Sequence, residues 1–303
     1  MGAGHSHGAP SAAGRHRGRL LWVLGITGMA LVAQLAGSWL SGSLALLADA
    51  GHMLTDVAGV GLAVLAITVA ARPPTVERTY GYYRLEILAA VVNAVLLFGI
   101  AVFVLAEAWR RWQHPAEVAG GTMLVFAAIG LLANVAGLIL LHGAAGESLN
   151  VRGAYLEVLG DLLGSGAVIL AAAVIAATGW LWVDPAASVL VALLILPRTW
   201  LLLREAVDVL LEGTPKGIDL EEVRQHILTQ PGVIDAHDLH AWTITSGMPV
   251  LSVHVVVDDA TLAGGTGRIL ADLSVCLADH FDVEHSTIQI EPADLAPERG
   301  LHP

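Results

Sequence analysis

The chain has 303 residues, of which 55% are hydrophobic and only 14% charged, whereas about a quarter of an ordinary soluble domain is charged. That composition excludes a purely soluble protein, and a net charge of -12, much of it beyond residue 204, argues against a nucleic-acid binder and for a surface that handles cations. The one cysteine, Cys276, excludes an intrachain disulfide and reads as a small apolar helix residue.

In chain order, residues 1–19 are small and polar and read as a disordered terminus bearing His5, His7 and His16, which either captures metal loosely or does nothing specific. The apolar run that follows is too long for a signal-peptide core and reads as a retained helix. A spanning helix needs about 20 apolar residues. On that measure six spans are expected, at 20–41, 44–70, 86–109, 118–141, 153–177 and 184–204. Arg15, Arg17, Arg19, Arg72, Arg78, Arg84, Arg152, Arg204 and Lys216 fall on one side, which places both termini in the cytoplasm. Arg110 and Arg111 break that pattern, while Trp109, Trp112, Trp180 and Trp182 suit an aromatic belt on the outer side. Gly213-Thr214-Pro215 closes the membrane part (20–212). Residues 213–292 then read as a small α+β domain of order α-β-β-α-β: a helix over 219–230, strands over 233–244 and 249–258, a helix over 270–281 and a last strand over 287–291. Residues 293–303 form a tail.

Two spans are not clean. The second holds Asp49, His52 and Asp56, and the fifth holds Glu157 and Asp161. Spacings of three and four put each set on one helix face. Charge in hydrocarbon costs about 2.5–3.5 kcal/mol per residue on insertion scales and marks a functional site by default. His52, Asp56, Glu157 and Asp161 offer one nitrogen and three oxygens, a donor number that suits tetrahedral zinc. Asp49 either orients His52 or lines the access path, and Asn93 reads as an interhelix hydrogen-bonding group.

The motifs Leu47-Ala48-Asp49-Ala50-Gly51-His52-Met53-Leu54-Thr55-Asp56, Tyr80-Gly81-Tyr82-Tyr83-Arg84-Leu85-Glu86, Leu159-Gly160-Asp161-Leu162-Leu163-Gly164-Ser165 and His237-Asp238-Leu239-His240-Ala241-Trp242-Thr243 resemble the cation diffusion facilitators. The resemblance runs over nearly the whole chain. It implies a homodimeric metal/proton antiporter of a bacterial plasma membrane, with six spans and a cytoplasmic metallochaperone-like (ferredoxin-like) domain. It carries the transport ligands to His52, Asp56, Glu157 and Asp161, with Glu157 standing where zinc transporters most often have His. It also carries regulatory metal positions to His237, His254, His285 and Glu291, with His240 a weaker candidate, and to Arg84 and Glu212 a charge contact between the loop after the second span and the end of the sixth, near the dimer interface. A further loop site of some relatives maps onto Thr75, Arg78 and Tyr82 and is expected to be missing.

The function so implied is efflux of Zn2+ in exchange for H+ by alternating access, with zinc as substrate and regulatory ligand and no required cofactor. Cadmium, cobalt, manganese or iron(II) are alternative substrates. A metal sensor without transport and an intramembrane metalloenzyme remain as rival classes, although the chain has no His-Glu-x-x-His pair.

Overall fold

The computed structural model describes residues 12–70, 72–142, 149–283 and 285–294. Some helix side chains, Glu157 and His16 among them, lie outside what it describes, as do His5, His7 and the tail from 295. Six long helices come first: α1 (Ala12–Ser41), α2 (Leu44–Ala70), α3 (Leu85–Gln113), α4 (Gly120–His142), α5 (Leu149–Thr178) and α6 (Val183–Leu210). Among the described residues, segments of five of them are long and apolar enough to cross a membrane, beginning at Leu21, Leu85, Gly120, Val158 and Val183. At 27 residues α2 has the length for a sixth. One expectation is corrected. Residues 12–19, read as disordered, are helical, because a helix once nucleated extends cheaply through good formers such as Ala and Arg.

The chain divides into two compact units, 1–64 with 92–203 and 65–91 with 204–303. In the first, α4 packs against α1 and α5. Its core holds Leu44, Leu46, Met123, Val168, Ala172 and Val191. Two glycines permit the close approach. A Cβ at Gly120 would lie 2.6 Å from the backbone nitrogen of Ala176, and one at Gly130 would collide with the Gln34 amide. Large apolar residues such as Trp39, Leu132, Ile139 and Leu170 face outward. In water they would form a sticky surface, and in lipid they are the expected one.

The same unit accounts for Arg110 and Arg111. Both bind Glu107, and Arg111 also reaches the Gly42 carbonyl (2.6 Å) and Asp184 (3.3 Å). Their charge is answered locally. Trp112 and Trp182 meet edge to face at 5.1 Å.

In the second unit, α7 (Leu220–Leu228) is capped by Asp219, whose carboxylate accepts from the amides of Glu221 and Glu222. Strands β1 (Val233–Thr243) and β2 (Pro249–Val257) pair antiparallel, and β3 (His285–Pro292) joins β2 in parallel. Between β2 and α9 (Gly267–Phe281) lies α8 (Asp259–Gly264), a short helix absent from the sequence reading. Asp258 caps it, and the Thr261 amide holds that carboxyl below the usual range. Leu251, Val253, Val255 and Val257 alternate onto one sheet face against Val223, Ile227, Leu273 and Leu277. Cys276 is buried, which pushes its thiol pKa up.

Candidate metal sites

Helix α2 is held at its start. Asp184, fully buried, accepts from Ser43 Oγ (2.6 Å), Leu44 N (2.9 Å) and Ala45 N (3.2 Å). From that anchor the helix presents His52 and Asp56 one turn apart on one face. Opposite them stands Asp161 of α5, with His52 Nε2 2.9 Å from Asp161 Oδ1 and His52 Nδ1 3.7 Å from Asp56 Oδ2. Ligand atoms of these three residues all lie within 4.8 Å of one another. The His52 and Asp161 side chains are 12% and 7% exposed. His52 Nδ1 and Asp161 Oδ1 are buried and make no aligned hydrogen bond. Buried polar atoms are normally satisfied, so a nitrogen and carboxylate oxygens left unsatisfied at ligand spacing make a place for a cation. Glu157 lies one turn before Asp161 on α5, and its side chain is outside the described residues.

Asp49 is drawn elsewhere. Its Oδ2 accepts from the Gln34 amide (2.7 Å) and the Ser165 hydroxyl (3.1 Å), and Ser165 in turn accepts from Asn134 (3.0 Å). Asp49 therefore ties α1, α4 and α5 to α2 beside the site, where sequence reasoning offered an orienter of His52 or a residue of the access path. It still borders a cavity of 150 Å³ together with His52 and Asp161. A second cavity, 280 Å³, is lined by His52, Asp56 and Asn93. Asn93 Oδ1 is buried and unbonded, so Asn93 faces the site rather than serving only as an interhelix link. Sequence reasoning passed over one lining residue altogether. Arg198 of α6 borders both cavities. A single arginine deep in an otherwise apolar run was the available signal.

In the second unit β1 carries a register break between His237 and His240, with Asp238 at φ 48°. That conformation is one Asp tolerates better than most residues. Ahead of the break His237 pairs directly with His254, and their rings lie 5.3 Å apart. Glu291 reaches both, 3.1 Å from His237 Nε2 and 2.8 Å from His254 Nδ1, and its Oε1 also accepts from Gln289 (2.7 Å). These three are the other cluster with metal-ligand spacing among the described residues. His285 is not with them. It sits exposed at the start of β3, six residues from Glu291, about 20 Å along an extended strand. His240 borders a different cavity, lined also by Arg78, Tyr82, Arg84 and Glu212. There Arg84 and Glu212 pair at 2.8 Å as expected, and Arg78 stacks on the Tyr82 ring at 4.5 Å.

Residues 20–211 match the family model described as "Cation efflux transmembrane domain", and 215–293 match "Cation efflux protein, cytoplasmic domain". The chain is 48% identical over 293 residues, 97% of its length and 91% of the relative's, to the "Metal cation efflux system protein CzcD" of Cupriavidus metallidurans. It is 44% identical over 275 residues (90% and 87%) to the "Zinc transporter ZitB" of Escherichia coli. To the "Cadmium, cobalt and zinc/H(+)-K(+) antiporter" of Bacillus subtilis it is 40% identical over 293 residues (96% and 92%).

Proposed function

Because the chain belongs to the cation efflux family, the cation diffusion facilitators, we propose that it exports zinc from the cytoplasm in exchange for protons. Members of this family are transporters, not enzymes, and this chain is an integral plasma-membrane protein that moves metal cations outward. The observation that carries the finer reading is the buried convergence of His52, Asp56 and Asp161. A nitrogen and carboxylate oxygens at this spacing suit zinc, and Glu157 supplies a fourth donor from the next turn of α5. The names of the relatives point the same way, two naming zinc and one pairing cadmium, cobalt and zinc with protons and potassium.

Imidazole and carboxylate bind metal only when deprotonated, so a proton that arrives displaces the ion, and exchange is inherent in this donor set. Two neighbouring cavities border His52, so the site is within reach of a hydrated ion. Both termini lie in the cytoplasm, and the chain works as a homodimer. The cluster of His237, His254 and Glu291 binds a second, regulatory zinc in the cytoplasmic domain. The test is zinc flux into proteoliposomes with and without an imposed pH gradient. The reading expects uptake that rises with a proton gradient directed outward from the lumen. Uptake indifferent to the gradient would refute proton exchange, and no zinc uptake at all would refute zinc as the substrate.

A further inference from the structure

Arg198 sits 15 residues into α6, about 22 Å along its axis and thus well within the span. A guanidinium keeps its charge at any physiological pH, and placing one there costs about 2.5–3.5 kcal/mol on insertion scales. Its position gives that cost a purpose. The two cavities have different acidic linings, Asp56 in one and Asp49 with Asp161 in the other, yet His52 and Arg198 are common to both. His52 is largely buried, while Arg198 is exposed. Both cavities that border the ion site are therefore lined by a site ligand and by a fixed positive charge.

The electrostatic consequence is definite in sign. With no metal bound, Asp56 and Asp161 concentrate negative charge in a low-dielectric setting, and Arg198 offsets part of it. With a divalent cation bound, the same guanidinium repels the ion. A carrier gains from this, because a site that binds too tightly does not release. We infer that Arg198 is a fixed counter-charge to the transport site, which weakens metal binding and so speeds release. The inference rests on the reading that His52, Asp56 and Asp161 carry the transported ion.

The test uses the full-length protein, with zinc uptake measured in proteoliposomes and zinc affinity measured on the detergent-solubilised protein. Arg198→Gln keeps polarity and most of the bulk but removes the charge, whereas Arg198→Lys keeps the charge. The expected result is that Arg198→Gln lowers both the zinc dissociation constant and KM about tenfold, equivalent to 1.4 kcal/mol, while the maximal rate falls. Arg198→Lys restores most of the wild-type KM. Wild-type affinity and KM in Arg198→Gln, weaker binding in that variant, or equal damage in both variants would each overturn the inference. His52→Ala run alongside keeps the two levels apart. If His52→Ala transports like wild type, the site reading has failed. If His52→Ala is inactive and Arg198→Gln shows wild-type constants, only the role of Arg198 has failed.

Discussion

Replacing Asp184 with Ala removes the anchor of helix α2, and the cost follows from what the carboxylate holds. It accepts from two backbone amides, Leu44 N at 2.9 Å and Ala45 N at 3.2 Å, and from the Ser43 hydroxyl at 2.6 Å, all buried. Each buried donor left unpaired costs about 1–3 kcal/mol. Ser43 Oγ also accepts from Leu46 N (3.1 Å), and its proton is free to rotate to another acceptor, so most of the loss falls on the two amides. Stripping one member of a buried ion pair ordinarily costs about 3–5 kcal/mol. Arg111 escapes that full amount, because Glu107 (3.0 Å) and the Gly42 carbonyl (2.6 Å) still hold it. The two amides together give about 2–6 kcal/mol, above the roughly 0.5–2 kcal/mol of an ordinary helix cap. Asp184→Asn keeps one acceptor oxygen and is expected to lose about half as much. The assay is reversible unfolding of the purified protein in mixed micelles by added denaturing detergent. A stability for Asp184→Ala within about 1 kcal/mol of wild type would refute the reasoning.

Glu157→His replaces a hard oxygen donor with nitrogen, so it is expected to retain zinc transport while losing relative activity toward manganese, checked by metal competition in proteoliposomes. An unchanged selectivity series and pH profile would show that Glu157 is not a ligand. Gly130→Ala drives a methyl into the Gln34 amide and is expected to cost about 1–3 kcal/mol in the same unfolding assay. Zinc is expected to raise the melting temperature of the full chain through the cytoplasmic cluster as well as the transport site. In a His52→Ala background the remaining rise should disappear on adding His254→Ala, and its persistence would remove that cluster as a binding site.

What the sequence made legible was periodic or costly. Six spans and the paired acidic faces of the second and fifth could be read because apolar length and four-residue spacing are local signals. The strands around His254 could be read for the same reason, through alternation. The anchor at Asp184 could not, since its partners lie about 140 positions away and an Asp at the head of a span looks like an interfacial residue. The convergence of His237 on His254 depends on a register break at Asp238, and no composition rule announces one there. His285 shows the opposite error. Resemblance grouped it with His237, His254 and Glu291, yet strand geometry puts it at the far end of β3. Arg198 was in plain view, but a search for metal-binding side chains does not stop at arginine.

The transport site itself is tested most directly by one comparison, zinc flux into proteoliposomes by the wild-type protein and by Asp161→Ala at matched incorporation. Asp161 faces His52 at 2.9 Å and belongs to the three-residue cluster, so its removal takes away a ligand. The account predicts that the variant remains folded in detergent and moves no zinc above the level of empty liposomes. Flux at the wild-type rate by a folded Asp161→Ala protein would contradict it.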